Sequence, residues 1–388
     1  MMAGNSVRIA VITGVLVLMV LSLLPVLNLS APAVAQTSST VGYVEYTLFL
    51  YNNTLVPGNY NKPATSSILS NYTPWAILYD PVNGYLYVGN EAQCVSDVNV
   101  IVINATSNLI VKKINLRFYT VNPPEGLGYD PNTGYVYVAT ANNGYNQLSV
   151  VNPSTNSVVA TITVGYYPSG IAYDPSNGYL YVADTASFEV SVINPSTNSV
   201  VGNIRVGTSP NGIVYDPNTG FLYVTTFNNS VSVIDPSSES VVATIKVGYI
   251  PIGITYDPQN GYIYVANWGS NSVSVIDPYN NSVVATVQVG QKPMDLVFDP
   301  QNGYIYVTDC MSNSVSVIDP NNNSVIGTIP VGVNPIGITY DPQNGYIYVA
   351  NSGSATISII ETLNTSNTNT QQYYQVTFLP VNFPSVSW

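Results

Sequence analysis

One phrase governs this sequence. Tyr79-Asp80-Pro81-Val82-Asn83-Gly84-Tyr85-Leu86-Tyr87-Val88 returns with its Asp at 130, 174, 216, 257, 299 and 341, at steps of 50, 44, 42, 41, 42 and 42 residues. A chain of seven such units must bury its hydrophobic faces by stacking each unit on the next, and about 42 residues is the length of four short strands. The fifth unit shows the pattern. Residues 252–257 (IGITYD) read as strand a, and Asp257-Pro258-Gln259-Asn260-Gly261 as a tight turn with Pro presetting φ and Asn-Gly supplying the left-handed position. Residues 262–267 (YIYVAN), 272–277 (SVSVID) and 283–289 (VVATVQV) read as strands b, c and d, all with period-two alternation.

No window carries a 3.6-residue apolar stripe, so the class is all-β. A solenoid and a closed ring both accept this period. Seven units of four antiparallel strands without distinct polar caps predict the ring, a seven-bladed β-propeller over residues 71–363, because closure hides most strand edges. The seventh unit lacks strand d in its expected place. Two strand-like segments could supply it: 41–51, in the N-terminal stretch 36–70, and 373–381, in the C-terminal stretch 364–388 that opens with a polar linker. The expectation leans toward the N-terminal segment, by strand exchange across the seam.

Arg8, an apolar run from Ile9 to Leu27 and the small residues Ala33-Val34-Ala35 have the parts of a secretory signal peptide spanning 1–35. An uncleaved anchor is the alternative. No later apolar run is long enough to span a membrane, so the rest is expected to be extracellular or at the cell surface. Export allows a bridge between Cys94 and Cys310; two separate core thiols are the alternative.

The motifs resemble the YVTN-type β-propeller repeat proteins. They stand here as Tyr264-Val265-Ala266-Asn267, Tyr348-Val349-Ala350-Asn351, Tyr306-Val307-Thr308-Asp309 and Tyr223-Val224-Thr225-Thr226, with the DPxNG turns and V-G-x-x-P junctions, over roughly residues 75–361. The resemblance implies an extracellular propeller of surface-layer or secreted type, and no catalytic residues to carry over.

The chain has no His, which removes Ser-His-Asp and Cys-His nucleophile systems and imidazole ligation of metals. Neither a phosphate-binding nor a dinucleotide loop is present, and no cofactor is expected. The net charge of −12 comes largely from Asp-Pro turns, and eight Lys and Arg residues make no phosphate-binding footprint, so nucleic acid is not an expected partner. The repeated Asp residues read as turn acceptors. Departures from the repeat are more informative. Asp295 stands where Gly253 and Gly337 stand, Asp309 where Asn267 and Asn351 stand, and Asp184 is a similar departure. Asp295 and Asp309 could form a paired-carboxylate or weak calcium site; drift in a solvated loop is the plainer reading.

The loops joining d to a and b to c vary, and they carry Trp75, Tyr166, Tyr167, Phe227, Tyr249 and Trp268. Aromatic platforms of this kind suit a sugar ring or a protein partner. Packing over neighbouring blades is the competing reading. Asn52, Asn71, Asn104, Asn228, Asn280, Asn322 and Asn364 sit in N-glycosylation acceptor sequences. The function expected is a non-enzymatic binding or scaffold module for an extracellular glycan or envelope protein, with self-assembly through the terminal strands. The alternative is an extracellular carboxylate- or calcium-dependent lyase or hydrolase.

Overall fold

In the computed structural model the described residues are 11–12, 15–16, 47–51, 54–58, 72–92, 100–116, 124–142, 145–362 and 374–380. The chain divides into two units, 1–65 and 66–388. In the first, Val11–Ile12 pairs with Val15–Leu16, and Thr47–Tyr51 pairs with Thr54–Gly58. Most of the signal-peptide segment lies outside the described residues. Among the described residues no helix is long and apolar enough to cross a membrane.

The second unit is all-β: seven four-stranded antiparallel sheets, one per repeat, in a propeller arrangement. Blade five is Pro251–Tyr256, Ile263–Asn267, Ser272–Asp277 and Ser282–Gln288, within a residue of the pattern reading. Each a–b turn is built as its sequence dictates. The Asp carboxylate accepts the backbone N–H two residues on in all seven turns, from Val82 N to Asp80 at 2.9 Å through Gln343 N to Asp341 at 2.8 Å. The closing Gly has φ between +70° and +79° in all seven, a region open to Gly without a Cβ penalty.

The Tyr three residues after the closing Gly is fully buried in every blade, from Tyr87 to Tyr348. In five blades the turn Asn donates its amide to that phenol, as Asn344 does to Tyr348 at 2.9 Å. The turn is thereby bolted to the core. Each of the seven hydrophobic clusters joins two adjacent blades, so burial is nearest-neighbour around the ring.

The ring closes without strand exchange. Strand d of blade seven is Tyr374–Pro380, paired antiparallel with Thr356–Thr362. This corrects the lean toward the N-terminal segment, where Thr47–Tyr51 finds its partner in Thr54–Gly58 instead. The seam reuses contacts found inside the ring. Gln343 Nε2 donates to Pro81 O at 3.1 Å, as Gln259 Nε2 donates to Pro300 O between blades five and six. Tyr348 Oη donates to Ala105 O at 3.1 Å. Ile77, Leu86 and Ile101 share one cluster with Ala350, Ile357 and Ile359.

Candidate functional site

The strands run so that a–b and c–d turns share one face of the ring, and the d–a and b–c loops share the other. The second face is the candidate site, and its loops are locked from beneath. In blade five, Ile250 takes φ +51°. Its N–H donates to Asn229 Oδ1 at 3.0 Å, and its carbonyl accepts from Trp268 N at 2.9 Å. Tyr249 N donates to the Ser270 hydroxyl, and Gly269 N donates to Tyr249 O at 2.7 Å. Gly269 lets the Tyr249 ring lie close, since a Cβ there would sit 2.3 Å from it; blades three and six hold Ala186 and Met311 at this place with the same backbone hydrogen bond. The same clamp recurs with Tyr167 on Asn146, Lys292 on Asn271 and Asn334 on Asn313. The loop backbone is satisfied by these Asn and Ser side chains and by its own carbonyls, which leaves the remaining crest side chains free to face outward.

Those crest side chains are apolar. Tyr166, Tyr167, Phe188, Phe227, Tyr249, Met311 and Val333 are exposed on this face, Tyr249 at 58 %. On the opposite face the exposed large apolar side chains among the described residues are Val82, Tyr279 and Leu109, which follows the c–d turn of blade one. Trp268 is half-buried, with Lys292 Nζ 3.6 Å from its ring centroid, a cation–π contact worth about 0.5–1 kcal/mol at an exposed site. Trp75 is half-buried on strand a of blade one. Phe188, Met311 and Val333 had no motif to mark them; their place in the repeat, beside Phe227 and Tyr249, was the available signal.

The departing carboxylates separate into two roles. Asp309 and Asp184 are fully buried at the end of strand b. Asp309 accepts from Ser316 Oγ at 2.7 Å and Ser314 Oγ at 3.3 Å, and Asp184 accepts from Ser191 Oγ at 2.6 Å. Desolvation pushes Asp184 up to about 7 and Asp309 up to about 6. Asn267 and Asn351 hold the same place with reversed polarity, donating to Ser274 and Ser358 at 2.9 Å. These residues brace the b–c loop from below.

Asp295 lies on inner strand a of blade six. Gly occupies its place in five other blades, because the next blade packs close: a Cβ on Gly337 would sit 2.5 Å from Trp75 O. Asp295 uses that proximity, accepting from Leu296 N at 2.9 Å and from Ile338 N of blade seven at 3.4 Å. Burial pushes it up to about 6. Asp295 and Asp309 share no hydrogen-bond partner, and among the described residues no group of three acidic, Cys or His side chains could hold a metal ion. Glu125, immediately before strand a of blade two (Gly126–Asp130), is a second carboxylate raised by desolvation, unmarked by any sequence motif.

Of the glycosylation candidates, Asn104 ends strand c of blade one and Asn280 and Asn322 sit in the c–d turns of blades five and six, all on the opposite face, and Asn228 lies on the candidate face. Asn280 Nδ2 donates to Asp277 at 2.8 Å and Asn322 Nδ2 to Asp319 at 3.1 Å. Asn52, Asn71 and Asn364 lie outside the described residues, as does Cys94. Cys310 is a half-buried free thiol whose pKa burial raises.

Compared with known proteins, residues 149–248 match the Arylesterase family model. That segment runs from blade two into blade four and contains neither Asp295 nor Asp309. Kuenenia stuttgartiensis hydrazine synthase is similar in structure at 21 % identity with a TM-score of 0.66, covering 78 % of this chain and 99 % of that one. At that identity the likeness is one of fold. No curated protein matches the chain.

Proposed function

We propose that this chain is a non-enzymatic binding module, exported and held outside the membrane, whose d–a and b–c loop face takes an extracellular glycan. One observation carries the reading: apolar crest residues, most of them aromatic, gather on one face and stand on loops that are already locked. Pre-formed aromatic platforms bind sugar rings without a large ordering cost. The surrounding Ser, Thr, Asn and Gln side chains of this face suit a neutral sugar better than a charged one. A protein of the envelope lattice is the alternative occupant of the same platforms. Asn280 and Asn322 turn to the opposite face, so glycans attached there leave this one open.

The test is retention of the full chain on immobilised neutral and acidic polysaccharides, beside the triple variant Tyr166→Ala, Tyr249→Ala, Trp268→Ala. Retention on a neutral polysaccharide that the variant loses supports the reading. Equal behaviour of the two proteins on every matrix sinks it.

The Arylesterase match favours one second reading, a hydrolase of aryl esters or related lactones. Asp295, on inner strand a of blade six and outside the matched segment, is the carboxylate this reading would use, raised toward neutrality by burial. This reading requires ester turnover that falls in Asp295→Asn while the melting temperature holds. Absence of turnover with and without added calcium removes it.

A further inference from the structure

Six of the seven blades guard their outer edge in the same way. Each joins strand c to strand d by four residues and ends that turn with a left-handed residue: Asn108, Asn156, Asn198, Glu239, Asn281 or Asn323. Each then places one extra residue in strand d, skipped by the pairing register: Val111, Val159, Val201, Val242, Val284 or Ile326. All six skipped residues are exposed. A bulge of this kind twists an edge and breaks the row of unpaired N–H and C=O groups that would template another strand. Lys112, Lys113, Arg205 and Lys246 add charge to three of these strands.

Blade seven has neither protection. Its strand d, Tyr374–Pro380, pairs with Thr356–Thr362 through seven consecutive residues with no register shift. The four-residue turn that brings the bulge elsewhere is replaced by a connection from Thr362 to Tyr374. Among the described residues no strand pairs with the outer edge of Tyr374–Pro380. The sequence from residue 362 to the C-terminus contains no Asp, Glu, Lys or Arg. The strand itself, YQVTFLP, is rich in β-branched and aromatic residues.

We propose that the outer edge of Tyr374–Pro380 is a self-association surface, on which a second copy of this chain lays the same strand antiparallel. The two blade-seven sheets then become one continuous eight-stranded sheet about a two-fold axis. An uncharged edge is where two copies that each carry a net charge of −12 approach with least repulsion. A strand pairing with itself satisfies the isologous geometry of a closed dimer. Backbone hydrogen bonds supply the attraction, as in β-strand addition generally. Added salt screens the remaining repulsion, so the dimer tightens as ionic strength rises. The inference is independent of what the loop face binds.

Sedimentation of the full chain over a wide concentration range, at low and high salt, tests it. The expected result is a monomer–dimer equilibrium that tightens with salt and weakens ~10-fold or more, ~1.4 kcal/mol, in both Thr377→Lys and Phe378→Lys. Adjacent residues face opposite sides of a sheet, so the pair covers both. Thermal melting confirms that each variant remains folded. A Thr377→Cys variant with both native cysteines replaced by Ser gives a second readout: mild oxidation should yield a covalent dimer. A chain that stays monomeric throughout, or a dimer indifferent to both lysines and never cross-linked through residue 377, overturns the proposal. A monomer whose edge instead captures a different protein's strand overturns it equally.

Discussion

The Asp309 carboxylate accepts a hydrogen bond from the Ser316 hydroxyl at 2.7 Å, whereas one blade on the Asn351 amide donates to the Ser358 hydroxyl at 2.9 Å. A hydroxyl can serve either partner by rotating, so the repeat accepts Asp or Asn at this place. Only Asp makes the brace titratable. Asp184, with the same role in blade three, is raised furthest, to about 7.

That difference predicts how stability varies with pH. A carboxyl whose pKa is raised in the fold holds its proton more tightly there than in the unfolded chain, where it titrates near 3.9. Its contribution is complete below about pH 4 and is lost as pH rises through the folded value. Asp184, Asp309 and Asp295 therefore all make the propeller less stable at pH 8 than at pH 4. Asp235, lowered by turn hydrogen bonds, acts in the opposite sense but is nearly surface-exposed and weak. Asp184→Asn should raise the unfolding free energy at pH 8 by about 2–3 kcal/mol and flatten the decline from pH 4 to pH 8. Denaturant titrations at pH 4, 6 and 8 check this; an unchanged decline would count against it.

Closure by the C-terminal strand makes a pair of truncations informative. Removing residues 364–388 strips strand d from blade seven and uncovers the strand that carries Ile357, Ile359 and Ile360. That should lower the melting temperature sharply or abolish folding. Removing residues 1–65 takes away no propeller strand and should leave the melting temperature nearly unchanged. The reverse outcome would restore the N-terminal segment as the closing strand.

Contact between inner strands predicts a steep penalty at one glycine. Gly337→Ala places a Cβ 2.5 Å from Trp75 O across the seam. Backbone atoms cannot yield cheaply, and the expected loss is about 2–3 kcal/mol. Urea midpoints of wild type and variant measure it, and a loss below about 0.5 kcal/mol would mean that the seam is looser than the geometry describes.

Backbone strain at the candidate face gives the opposite sign. Ile250 holds φ +51° with a β-branched side chain, at a place where blade seven has Asn334 at +51°. Asn tolerates this region and Ile does not. Ile250→Asn keeps both backbone hydrogen bonds and should stabilise by about 1 kcal/mol. A destabilised variant would show that the Ile250 side chain packs well enough to outweigh the strain.

Much of this molecule was legible as sequence because its information is local. Asp257 meets the amide of Gln259 two residues on, and Asn260 meets Tyr264 four residues on, so a short phrase spells a turn and its anchor. What was not legible is non-local. The role of Asp309 depends on Ser316 in the next strand, and that of Asp295 on Ile338 in the next blade. The closing strand was misjudged because both terminal segments are β-prone, and nothing in either composition says which lies beside Thr356–Thr362. Phe188 and Met311 carry no motif of their own; only their place in the repeat marks them as loop residues, and their exposure is a property of the fold.

The binding claim comes down to Trp268, half-buried beside Lys292 on the loop face. The most direct measurement is tryptophan fluorescence of the full chain titrated with neutral polysaccharides, beside Trp268→Phe. A saturable change in wild type that Trp268→Phe loses, and that Tyr249→Ala shifts at least ~10-fold to higher concentration, is the predicted result. A response identical in wild type and Trp268→Phe, or none with any polysaccharide, would contradict a glycan site on this face.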